Sequence, residues 1–89
     1  MIEQNTEIIN KLGLHARAVA KLVSTSSQFA SETTMTFGDK EANCKSIMSV
    51  MMLAAAKGSN VTIKCEGKDE ENAMQSVIDL IEGYFGEEE

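Results

Sequence analysis

The segment Val61-Thr62-Ile63-Lys64-Cys65-Glu66 alternates apolar and polar residues without a break. Successive side chains of a strand point to opposite faces, so this pattern places one face in a core and the other in water. A strand covered on both sides would run apolar throughout. The same period recurs from Thr33 to Phe37, with Thr33, Met35 and Phe37 on one face. It recurs more loosely from Ile2 to Ile9, with Ile2, Gln4, Thr6 and Ile8 on one side. Glu41 to Lys45 reads as a short, weak return strand after the turn Gly38-Asp39-Lys40.

Helical spacing separates these strands. Val19, Leu22, Val23 and Ser26 recur at i, i+3, i+4 and i+7 from a start near Ala16, and Ser24 to Ser27 weaken the end. Ile47 to Ala56 is apolar with high helix propensity and stops at Lys57-Gly58. Asp69 is the expected N-cap of a last helix, whose acidic first turn, Glu70-Glu71, suits the helix dipole. Its expected buried stripe is Ala73, Val77, Leu80, Ile81 and Tyr84, with Phe85 alongside and Gly83 and Gly86 loosening its end. The order β-α-β-β-α-β-α predicts an antiparallel or mixed sheet with helices on one face. At 89 residues, positions 1–89 are expected to form one domain with one core.

Aromatic residues are scarce, so that core must be aliphatic. Cys44 and Cys65 have neither metal nor redox spacing and read as apolar fillers in a reducing compartment. No apolar run approaches the ~20 residues that span a bilayer, and Met1 to Asn10 lacks a basic leader. A cytoplasmic location without membrane insertion is expected. The net charge of -6 is uneven: residues 1–57 carry +1 and residues 58–89 carry -7. The C-terminal acids, including Glu87-Glu88-Glu89, read as a solvated face. An acidic chain without a basic stripe is a poor nucleic-acid binder.

Chemistry could sit in three places. His15 is the only histidine, and it stands where the glycine turn Asn10-Lys11-Leu12-Gly13 meets a helix. The unpaired amides of a first helical turn favour an anion there, and Arg17 supplies a fork of donors suited to phosphate oxygens. A neutral imidazole is a competent nucleophile near pH 7. The bland alternative is a capping histidine. The second place is Ser46, either a helix N-cap or a site where a phosphate would be tolerated. The third is the helix from Ile47. If Val50, Leu53 and Ala54 face the sheet, Ile47, Met48 and Met51 remain outside as an adaptable docking patch; otherwise all of them pack inside. There is no His/Cys/acid cluster for a metal and no Ser-His-acid set.

Asn10-Lys-Leu-Gly-Leu-His15-Ala-Arg17, Lys45-Ser46-Ile47-Met48, Ala56-Lys-Gly-Ser59 and Glu66-Gly-Lys-Asp69-Glu70 occur in this order. Together they resemble the histidine-containing phosphocarrier (HPr) family of the bacterial phosphoenolpyruvate-dependent phosphotransferase system. The resemblance spans about Ile2 to Tyr84. It implies an α+β fold, an open-faced β-sandwich in which a four-stranded, mainly antiparallel sheet carries three helices on one face. It implies a carrier rather than an enzyme. The phosphoryl group would be accepted on Nδ1 of His15 from the first enzyme of the system and passed to IIA domains. Arg17 would steady the phosphoryl oxygens. Ser46 would be the regulatory target of an HPr kinase/phosphorylase, and Ile47, Met48 and Met51 the partner-docking surface. No cofactor is implied.

The chain departs from the family pattern in two respects. Ala18 stands where the family usually has proline after HAR or HTR; alanine is a good helix former, so the site should survive. Ser24, Ser27 and Ser49 stand where some relatives carry lysine, which weakens electrostatic steering toward acidic partners. Two rival readings remain open. One is a nitrogen-type regulatory phosphocarrier. The other is a regulatory binding module acting through phosphorylated Ser46.

Overall fold

The computed structural model describes residues 1–88. Its elements run β1 (Ile2–Glu7), α1 (Ala16–Ser26), β2 (Glu32–Phe37), β3 (Lys40–Asn43), α2 (Ile47–Met51), β4 (Asn60–Glu66) and α3 (Glu70–Glu82). A single 3-10 turn, Tyr84–Gly86, follows. The strands form one sheet in the order β1-β4-β2-β3, and every neighbouring pair is antiparallel.

The register explains the alternation. Gln4, Ile63, Met35 and Ala42 lie in one row across the four strands, and Ile63, Met35 and Ala42 are buried there. In the next row, Asn5, Thr62, Thr36 and Glu41 lie on the opposite face, where the Thr62 hydroxyl donates to Asn5 Oδ1 at 2.7 Å. Helices α1 and α3 pack on each other, and α3 packs on β1, β2 and β4. The core between sheet and helices contains Val19, Leu22, Ile63, Val77 and Ile81, and Phe85 is its only aromatic among the buried described residues.

The structure corrects four local expectations. The apolar run from Ile47 is helical only to Met51; Ala54 takes a left-handed φ of 53°. Ala54 is exposed, and Ala55 takes the buried place beside Val50 and Leu53. Tertiary bonds override helix propensity there. The Ala55 carbonyl accepts from Leu14 N–H at 2.9 Å, and Gly58 N–H donates to the Ile8 carbonyl at 2.7 Å. The return strand β3 sits at Lys40–Asn43, close against the turn, rather than at residues 41–45. Tyr84 is 38% exposed, because left-handed φ values at Tyr84 and Phe85 turn the chain and bury Phe85 instead. Asp69 occupies the N-cap position without capping: its carboxylate accepts from the N–H groups of Ala30 and Ser31, both at 2.9 Å, and from the Ser31 hydroxyl. It ties the start of β2 to the start of α3, and these bonds, the Ser31 hydroxyl foremost, hold its carboxyl below the usual range.

Candidate functional site

The site begins with the turn that delivers His15. Asn10 is fully buried, and its Nδ2 donates to the Gly13 carbonyl at 2.8 Å, while Gly13 N–H donates to the Asn10 carbonyl at 3.1 Å. Gly13 has a φ of +65°, and a Cβ there would meet Ala55 O and Ala56 Cα at 2.8 Å. Only glycine meets both demands. Leu14, buried and bonded to Ala55, then places His15 at the N-cap of α1 with extended backbone.

The His15 side chain caps nothing. The first helical bond runs from Val19 N–H to the His15 carbonyl at 2.9 Å, so the N–H groups of Ala16 and Arg17 precede any helical acceptor. The imidazole is 26% exposed. Its Nε2 contacts Glu87 Oε2, and among the described residues no hydrogen bond reaches Nδ1. Arg17 is exposed, has no carboxylate partner among the described residues, and lines an open hollow with Lys11, Leu12, Glu87 and Glu88. The imidazole is part-exposed, and Glu87, which contacts it, also lines the hollow that holds Arg17. A ring nitrogen without a hydrogen-bond partner, at a helix start with spare amides, has the chemistry to take and release a phosphoryl group.

Glu87 also departs from the sequence reading. It is not part of a solvated tail: its side chain is only 16% exposed, and Asn10 Nδ2 donates to its Oε1 at 3.0 Å. The bond from Asn10, then the contact with His15, holds its carboxyl below the usual range. Glu89, the end of that acidic run, lies outside the described residues. Nothing local marks Glu87 in the sequence, since its partners are 72 and 77 positions away. Asn10 carries a weak local signal, an asparagine opening a glycine turn.

Ser46 lies at the N-cap of α2, and its hydroxyl accepts from Ser49 N–H at 3.3 Å. The helix turns Val50 inward, with Leu53 following, and leaves Ile47 at 50%, Met48 at 72% and Met51 at 39% exposure. Met52 at 71% and Leu12 at 67% are exposed as well. Cys44 and Cys65 are buried and unpaired; burial pushes the Cys44 thiol up to about 12 and raises Cys65, so neither offers a thiolate at neutral pH. No group of three or more metal-binding side chains is gathered among the described residues, and no helix is long and apolar enough to cross a membrane.

The family model described as PTS HPr component phosphorylation site matches residues 2–83. The chain belongs to the HPr family. The phosphocarrier protein HPr of Neisseria meningitidis serogroup A is 56% identical over 89 residues, covering 100% of both chains. The crystal structure of HPr-C-His from Thermoanaerobacter tengcongensis matches with a TM-score of 0.96 and 46% identity, again over 100% of both. A protein named phosphocarrier protein NPr, from Shewanella violacea, is 36% identical over 86 residues, covering 97% of this chain and 94% of its own. This HPr-family chain is accordingly a phosphocarrier of the phosphotransferase system, with the four-stranded antiparallel sheet and three helices of HPr structures.

Proposed function

We propose that this phosphocarrier serves the sugar branch of the system in the cytoplasm, accepting a phosphoryl group on Nδ1 of His15 from the first enzyme and passing it to IIA domains. One observation carries the reading. The only imidazole of the chain sits at the amino end of α1, with Nε2 engaged by Glu87 and Nδ1 open. The protein needs no turnover of its own, because phosphoryl transfer asks for in-line placement and charge stabilisation. Arg17 and the amides of the first turn of α1 would steady the oxygens while the partner's histidine approaches. Ile47, Met48 and Met51 would be the docking surface, an apolar patch suited to transient contacts near or below ~1,200 Å². Ser46 would be a regulatory phosphorylation site for an HPr kinase/phosphorylase: at a helix start, added phosphate changes surface charge by about -2 without refolding the chain.

The test is incubation with phosphoenolpyruvate and the first enzyme. An acid-labile, base-stable phosphate should appear on the protein and vanish in His15→Ala. Retention of the label in that variant would refute the assignment. A nitrogen-type carrier is the second reading, supported by the similarity to NPr of Shewanella violacea. The higher identity to proteins named HPr favours the sugar branch. Which IIA protein takes the phosphate from the labelled carrier decides between them.

A further inference from the structure

The C-terminal turn spends conformational energy to reach His15. Tyr84 and Phe85 both have left-handed φ values, 59° and 54°. Such values are unfavourable for large L-residues and persist only where the surroundings over-determine them. Here Phe85 is fully buried, its carbonyl accepts from Lys21 Nζ at 2.6 Å, and Glu87 N–H donates to the Tyr84 carbonyl at 2.9 Å. The result is a strap from α3 across α1 that ends with the Glu87 carboxylate on the imidazole. Asn10 holds the other oxygen of that carboxylate, using the same Nδ2 that holds the Gly13 carbonyl. The turn that places His15 therefore also places Glu87.

A carboxylate can only accept a hydrogen bond, so the nitrogen facing it must carry the hydrogen. We propose that Glu87 is a positioning residue for His15: its carboxylate, steered by Asn10, keeps the hydrogen on Nε2 and leaves the lone pair on Nδ1 to take and return the phosphoryl group. The inference rests on the relay described above and adds the device that selects the nitrogen.

The electron balance is simple. The Nδ1 lone pair forms the new N–P bond as the N–P bond of the phosphohistidine donor breaks, and that pair returns to the donor ring. The hydrogen on Nε2 does not move. The phosphorylated ring then carries a positive charge, which the Glu87 carboxylate opposes. In the return step the N–P electrons go back to Nδ1, and the ring leaves as neutral imidazole. Among the described residues, the charged groups around this pair are Lys11 and Arg17, Lys21 one turn further along α1, and Glu88. The depressed carboxyl of Glu87 agrees with an ionised acceptor.

The experiment compares wild type, Glu87→Gln and Glu87→Ala. The 15N spectrum of the neutral imidazole is recorded without any phosphoryl donor. Wild type should show the hydrogen on Nε2. Glu87→Gln, whose amide oxygen still accepts, should show the same tautomer. Glu87→Ala should raise the Nδ1–H share roughly tenfold, the weight of one charge-assisted hydrogen bond. Single-turnover transfer from the phosphorylated first enzyme should slow roughly threefold to fivefold in both variants, because both lose the charge that opposes the cationic ring. An unchanged tautomer in Glu87→Ala, a wild-type ring protonated on Nδ1, or wild-type transfer rates in both variants would each overturn the proposal. Wild-type protein that takes no label at all overturns the relay instead, and the donor-free spectrum still reports whether Glu87 sets the tautomer.

Discussion

Gly13→Ala measures how tightly the site is built. Two separable costs follow from the geometry at this position. A left-handed φ of +65° costs an alanine about 1–2 kcal/mol. The new Cβ would also lie 2.8 Å from both Ala55 O and Ala56 Cα, which are backbone atoms and cannot swing aside. Forcing them apart costs roughly 1–3 kcal/mol, as for an overpacked core. The unfolded chain loses freedom on gaining a Cβ, which offsets about 0.4–1 kcal/mol. The net destabilisation is centred near ~3 kcal/mol, or a fall in Tm of roughly 12–24 °C for a domain of this size. Gly38→Ala is the control: φ there is +63°, and nothing lies within 4 Å of the added Cβ. It should lose only about 1 kcal/mol, roughly 4–8 °C. Thermal melts followed by circular dichroism, with urea titrations for the free energies, give both numbers. Equal losses in the two variants would refute the close approach of the His15 turn to Ala55 and Ala56.

Two further outcomes follow from the same geometry. Arg17→Ala should slow phosphoryl transfer roughly 10- to 100-fold in single-turnover measurements while leaving Tm unchanged, because the exposed guanidinium has no partner among the described residues and would act on the phosphoryl oxygens; transfer within twofold of wild type would remove it from the site. Asp69 binds protons less readily folded than unfolded, so its contribution to stability is present above its unfolded pKa of about 3.9 and is lost as pH falls through the depressed folded value. Stability of the wild type should therefore fall on acidification below about pH 4, and Asp69→Asn, which has no proton to gain, should flatten that acid limb in urea titrations taken across pH 2–6; a slope unchanged by the substitution would contradict the Ser31 and Ala30 bonds.

The sheet, the helix order and the place of His15 at the start of α1 were all legible because each rests on local chemistry. Alternation in Val61 to Glu66 requires a strand with one wet face whatever the partners are, and the register with Met35 and Gln4 satisfies that demand. His15 and Arg17 lie two residues apart across a helix start, so their placement on the backbone follows from the local sequence. Ser46 needs only the helix that follows it to be a cap.

What the local pattern could not supply was decided by contacts distant in the chain. The run from Ile47 has helix propensity through Ala56, yet the backbone bonds of Ala55 with Leu14 and of Gly58 with Ile8 end the helix at Met51. Those same bonds bring Ala55 against Gly13, which fixes where His15 points. The acid run at the C-terminus reads as solvated because charge in sequence carries no address. Phe85 supplies the address: burying it turns the chain through two left-handed residues and lays Glu87 on the imidazole. The sequence by itself determined that a nucleophilic ring would stand at the start of a helix. Only the tertiary structure decided which of its two nitrogens is left free, because the carboxylate that makes the choice arrives from the other end of the chain.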